Sequence, residues 1–101
     1  MTLTSGISVP VERIAEICRR YQVRELSLFG SSIRDDMGPE SDIDILVEFD
    51  PNATVGILKF AALSEDLEAI FGRKIDLVTK LGLKPWVRPH VLREAKLVYA
   101  A

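Results

Sequence analysis

Apolar residues recur along this chain in two rhythms, one of 3.6 residues and one of two, and their alternation predicts the elements. Val11, Ile14, Ala15, Cys18 and Tyr21 recur at helical spacing, separated by Glu12, Arg13, Glu16, Arg19 and Arg20. This predicts a helix whose apolar stripe packs on a sheet, with Ser8 as its cap and Pro10 in the first turn. Residues 1–7 read as a loose lead-in. Glu25 to Phe29 reads as a short strand entering a Gly30-Ser31 turn, with a brief helical turn around Ser32 to Asp35. Asp36 to Glu40 is loop chemistry. From Asp42 to Phe49 the period is two: Ile43, Ile45, Val47 and Phe49 share a core face, and Asp42, Asp44, Leu46 and Glu48 share a partly open one.

Asp50-Pro51 breaks that strand, and Thr54 is placed to cap a second helix. Phe60, Leu63, Leu67, Ile70 and Phe71 mark this helix as long and amphipathic, and Gly72 can end it. Lys74 to Thr79 reads as a third strand. Pro85 to Ala95 reads as helical, with Pro89 starting it late or kinking it. Leu97-Val98-Tyr99 takes no assignment. The order helix, strand, strand, helix, strand, helix predicts a small α/β or α+β fold with its helices gathered mainly on one face of the sheet.

A chain of 101 residues is expected to form one domain, spanning 1–101, and 48% hydrophobic residues suffice for a core. The net charge of −2 argues against a general nucleic-acid-binding surface. Its distribution is uneven: residues 1–50 carry ten acidic and five basic side chains, residues 51–101 five acidic and eight basic. Cys18 is the sole cysteine, which excludes a disulfide framework, and its place on the helix stripe predicts a core thiol. No apolar run approaches membrane-spanning length, and the first residues lack the pattern of a signal peptide, so a cytoplasmic location is expected.

The candidate chemistry lies in the first half. Asp42 and Asp44 stand two apart in a strand, which places them on one face with Cα atoms roughly 6–7 Å apart. Adjacent carboxylates repel, and a divalent cation such as Mg²⁺ is the natural occupant between them. Asp76 interrupts the apolar run Ile75-Asp76-Leu77-Val78, where a carboxylate is costly unless compensated. If its strand lies beside that of Asp42 and Asp44, three acids on one face can bind two Mg²⁺ ions for an in-line displacement, and Asp76 can accept the proton of an attacking hydroxyl. Gly30 allows close backbone approach, and Ser31 offers a hydroxyl and an amide to phosphate oxygens. Arg34 can reach the same phosphates or pair with a nearby acid. Lys80, Lys84 and Arg88 read as surface cations within reach of a triphosphate. His90 has no evident nucleophilic partner, which argues against a hydrolase triad. Trp86 suits packing or a partner surface. A Walker-type loop and a dinucleotide fingerprint are both absent from the sequence.

Taken together, Leu28-Phe29-Gly30-Ser31, Arg34, Ser41-Asp42-Ile43-Asp44-Ile45-Leu46-Val47 and Ile75-Asp76-Leu77-Val78 resemble the minimal nucleotidyltransferases of the DNA polymerase beta superfamily. The stretch from Leu83-Lys84-Pro85-Trp86 to Val91-Leu92-Arg93-Glu94-Ala95 resembles the tail of prokaryotic members encoded beside a HEPN-domain protein. The resemblance implies a mixed sheet and Mg²⁺-dependent transfer of AMP from ATP. Gly30, Ser31 and Arg34 would hold the triphosphate, Asp42 and Asp44 would bind both metals, and Asp76 would complete the metal site beside the acceptor. In the paired systems the transferase is an antitoxin that adds AMP to a tyrosine of the HEPN ribonuclease toxin. Neither membrane association nor direct nucleic-acid binding is implied. Two positions differ from the common pattern: Arg34 is flanked by Ile33 and Asp35 rather than by small residues, and Gly38 stands before Pro39 where a basic residue is usual. The alternative reading is a non-catalytic antitoxin that neutralises its partner by contact alone.

Overall fold

The computed structural model describes residues 1–3 and 5–101. Its elements are α1 (Val11–Arg20), β1 (Val23–Phe29), a 3₁₀ turn (Gly30–Ile33), β2 (Ile43–Phe49), α2 (Ile57–Phe71), β3 (Ile75–Thr79), α3 (Arg88–Glu94) and β4 (Lys96–Ala100). The strands form one mixed sheet in the order β3-β2-β1-β4. β1 runs antiparallel to both β2 and β4, and β2 runs parallel to β3. A parallel pair cannot be closed by a tight turn, and α2 supplies the crossover.

α1 and α2 lie on one face of the sheet. Their apolar sides enclose Ile14, Ile17, Cys18, Leu63 and Leu67 against Leu26, Leu28, Ile43, Ile45, Val47, Ile75 and Leu77. This is the alternation expected for β2, with its odd-numbered positions inward. Tyr21 closes the layer by donating its hydroxyl to Asp66 at 2.6 Å, which joins the end of α1 to α2. Cys18 is fully buried, and that burial pushes its thiol up to about 12, so it is an inert core group. Gly72 ends α2 with φ +65°, a backbone angle that favours glycine.

The other face is only partly open. Leu46 is buried there, and Leu92 of α3 and Ala95 just after it line a cleft of about 220 Å³ with it. Among the described residues, no helix is long and apolar enough to cross a membrane.

Several expectations are corrected. The lead-in is not loose: Thr2 and Ser8 form an antiparallel bridge, Leu3 donates its N–H to the Ile7 carbonyl at 2.9 Å, and Ile7 and Val9 enter the core. Thr4, within that stretch, lies outside the described residues. Ser8 is therefore engaged in a hairpin rather than a cap, and α1 starts after Pro10 without a side-chain cap. On α1 the inward positions are Ile14, Ile17 and Cys18, while Val11 is 43% exposed. Thr54 does not cap α2, whose N-cap is Gly56. α3 begins just before Pro89, which occupies the first turn where its missing N–H costs nothing. The unassigned ending is β4. It pairs with β1 and buries Val98.

The N-terminal hairpin gives a direct check. Val9 is 1% exposed, so Val9→Ala is expected to cost about 1.5 kcal/mol for its two lost methyl groups. Urea denaturation would measure this, and an unchanged midpoint would mean that residues 1–9 do not pack on the core.

Candidate active site

The site forms where the 3₁₀ turn, the start of β2 and the start of β3 meet. Asp44 is at its centre. Through the antiparallel pairing it is the register partner of Phe29, the last residue of β1, and through the parallel pairing it is the partner of Asp76. The third acid, Asp42, is exposed just before β2. Asp44 is half-buried and Asp76 is exposed on the outer strand.

The Gly30 turn and the acids are joined by two contacts. Gly30 adopts φ +65°, and a Cβ there would collide with the Asp44 carboxylate oxygen Oδ2. Only glycine allows both the left-handed backbone and the approach. Ser32 is fully buried, and its Oγ accepts the Asp44 backbone N–H at 3.0 Å. Ser31 lies between them, with its carbonyl accepting the Arg34 N–H at 3.2 Å.

The loop that delivers Asp42 is held as firmly. Gly38 donates its N–H to Ser41 Oγ at 3.0 Å. One guanidinium nitrogen of Arg73, at the entrance to β3, donates to the carbonyls of Gly38 and Ser41 at 2.7 and 2.9 Å. The Ile43 N–H donates to the Lys74 carbonyl at 2.9 Å, which sets the first rung between β2 and β3.

This crowding has an electrostatic consequence. Burial pushes the Asp44 carboxyl up from 3.8 to about 6, reinforced by the negative charges of Asp76 and then Asp42 and opposed by Arg34. Carboxylate oxygens are the donors that Mg²⁺ takes, and a cation would relieve both the burial and the neighbouring charge that hold this acid above its usual range. The residues thus fit a divalent ion in their chemistry. Among the described residues, no three His, Cys, Asp or Glu side chains already converge as a cage.

The remaining candidates separate. Arg34 reaches two acids: its Nε lies 3.4 Å from Asp36 and its Nη1 3.6 Å from Glu94. Lys80 Nζ lies 2.6 Å from Glu48 and holds that carboxyl below its usual range, so it is engaged away from the acids. Arg88 donates to the backbone carbonyls of Lys80 and Leu83 and secures the connector before α3. Lys84 lies over the Trp86 ring, 5.5 Å from its centroid, and Trp86 is 75% exposed. Ser32, Arg73 and Glu94 were not marked by sequence reasoning. Ser32 had a signal in the doubled serine after Gly30. The other two arrive from distant segments with no local motif. A larger cleft of about 480 Å³ lies under the N-terminal hairpin, lined in part by Arg13, Ile70 and Arg73, and contains none of the three acids.

The raised Asp44 carboxyl makes a testable statement about stability. Between 3.8 and about 6 the folded chain holds a proton that the unfolded chain has released, so stability falls as pH rises through that window. Asp44→Asn is expected to raise Tm at about pH 7.5 without divalent ion, and to lose most of that gain at about pH 4. Thermal melts at the two pH values decide it, and a gain equal at both would remove charge crowding as the cause.

Comparison with known proteins identifies the family. The family model for the nucleotidyltransferase domain matches residues 11–98. The protein adenylyltransferase MntA of Thermococcus cleftensis is 40% identical over 98 residues, covering 97% of each chain. A solved structure assigned to the minimal nucleotidyltransferases superposes with a TM-score of 0.71 at 36% identity, covering 84% of this chain and 85% of that one. A toxin–antitoxin structure with AMP-PNP shares the fold, with a TM-score of 0.72 at 21% identity over 92% of this chain and 75% of that one. With the glycine turn, the paired acids and the mixed sheet in place, the chain belongs to the nucleotidyltransferase domain family.

Proposed function

We propose that this protein transfers AMP from ATP, with Mg²⁺, to a protein hydroxyl, a tyrosine of a HEPN-domain ribonuclease toxin, and acts in this way as the antitoxin. The observation that carries the reading is the seating of Asp44, with Asp76 opposite it in register and Gly30 against its carboxylate. The relative named as a protein adenylyltransferase supports a protein acceptor. The toxin–antitoxin neighbour supports a toxin partner, and its AMP-PNP supports an adenine nucleotide.

Each residue has a part. The Gly30 amide, the Ser31 hydroxyl and Arg34 receive phosphate oxygens. Asp42 and Asp44 would hold the ions, which when bound supply charge stabilisation for the attacking oxygen and the leaving pyrophosphate. The acceptor oxygen attacks the α-phosphorus, the bond to the β-phosphate bridge breaks, and Asp76 on the exposed outer strand takes the hydroxyl proton. The second reading, neutralisation by contact alone, draws on exposed apolar side chains: Leu81 is 88% exposed and Trp86 75%.

Incubation of the protein and its partner with α-labelled ATP and Mg²⁺ separates the two. Label is expected on the partner with wild type and absent with the Asp42→Ala/Asp44→Ala variant. Full neutralisation of the partner by that double variant would favour contact alone. Gly30→Ala is expected to lower stability by about 1 kcal/mol. Because it displaces the Asp44 carboxylate, it should cut transfer by about a hundredfold. Transfer rates at wild-type level in a folded Gly30→Ala protein would detach the turn from the chemistry.

A further inference from the structure

Glu94 is the last residue of α3 and lies 64 positions from Gly30, yet its carboxylate occupies the anion position of the proposed nucleotide site. Its Oε1 accepts the Gly30 N–H at 3.4 Å and lies 3.6 Å from Arg34 Nη1. Its second oxygen lies 3.5 Å from His90 Nε2, one turn earlier on the same helix. The side chain is only 24% exposed. A backbone amide and a guanidinium converging on one oxygen is the arrangement by which a protein holds a phosphate oxygen.

A triphosphate cannot share that position with a carboxylate. The region already holds Asp42, Asp44 and Asp76, and a further anion beside a polyanionic ligand is repelled. Gly30 offers a single N–H, which Glu94 takes, and Glu94 also draws the Nη1 side of the Arg34 guanidinium. Entry of the phosphates therefore requires the Glu94 contacts to break.

The geometry points to Glu94 as an intramolecular competitor of the substrate's phosphates, seated on the Gly30 amide and Arg34 in the free protein and displaced when nucleotide binds. This inference rests on the nucleotidyltransfer reading above. Linkage gives it two consequences. Glu94 lowers the affinity for any ligand carrying the triphosphate, and nucleotide binding releases the end of α3 from the turn. α3 is suited to such a release, because Val91 is its only buried residue among those described. Its last turn is held by the Ala95 N–H to the Val91 carbonyl, at 2.9 Å.

The test compares wild type with Glu94→Gln, which keeps the shape of the side chain and removes its charge. Equilibrium binding is measured for Mg·ATP, inorganic triphosphate and adenosine. Glu94→Gln is expected to bind ATP and triphosphate about tenfold more tightly, a typical coupling magnitude, with adenosine affinity unchanged. Hydrogen exchange supplies a second readout that does not depend on the variant. Amides of Val91 to Ala95 in wild type should exchange faster once triphosphate is added. Equal or weaker triphosphate binding by a folded Glu94→Gln protein would overturn the competitor role and leave the transferase reading standing. Slower or unchanged exchange in α3 at saturating ATP would overturn it as well. Absence of ATP binding by both proteins would overturn the transferase reading and this inference with it.

Discussion

Parallel pairing of β2 with β3 sets Asp44 directly opposite Asp76, and the site is organised around that repulsion. Two carboxylates on facing rungs of a sheet cannot rotate far from each other, because the backbone ladder fixes their origins. Burial first, and the charge of Asp76 after it, raise the Asp44 carboxyl, and Arg34 within electrostatic reach opposes them. The pairs on either side, Ile43 opposite Ile75 and Ile45 opposite Leu77, face the buried side of the sheet, so the two acids share the other face.

The surrounding structure makes that pairing hard to escape. The odd-numbered residues of β2 and their partners on β3 are buried between the sheet and the helical layer. A register slip of one residue would turn Ile43 and Ile45 outward and drive Asp44 into the core. The hydrophobic effect thereby holds two like charges together. Anchors at both ends strengthen this: Ser32 takes the Asp44 amide on one side, and the Lys74 carbonyl takes the Ile43 amide on the other. Rigid placement of this kind suits a reaction that depends on positioning and charge stabilisation.

Much of this was legible in the sequence wherever the signal was local. The period of two from Asp42 to Phe49 marked the core face of β2 correctly, and Asp76 was conspicuous as a carboxylate between Ile75 and Leu77. The glycine turn was visible because Gly30 and Ser31 are adjacent and come after an apolar run. What escaped was non-local. Leu97 to Tyr99 is too short to declare itself a strand, and only the free edge of β1 makes it one. The lead-in hid a hairpin because its arms are too short to show a period, although Ser5-Gly6 is a turn dipeptide and Gly6 takes φ +90°. Ile17 was overlooked in favour of Val11 because a stripe read from one end drifts by one position before the sheet fixes its direction. Arg73 and Glu94 reach the site from 32 and 64 residues away, and periodicity carries no information over such separations.

The two departures from the common family pattern acquire a physical meaning in three dimensions. Gly38 stands where a basic residue is usual, but the position is not without a cation: the Arg73 guanidinium donates to the Gly38 carbonyl at 2.7 Å. The same nitrogen, reaching across from just before β3, also holds the Ser41 carbonyl that precedes Asp42. The acidic run after Arg34 resolves similarly. Asp35 is exposed, and it is Asp36 that pairs with the Arg34 guanidinium. With Glu94 on its other side, Arg34 lies between two carboxylates while its side chain stays 48% exposed. The added acids therefore bear on the availability of this one arginine.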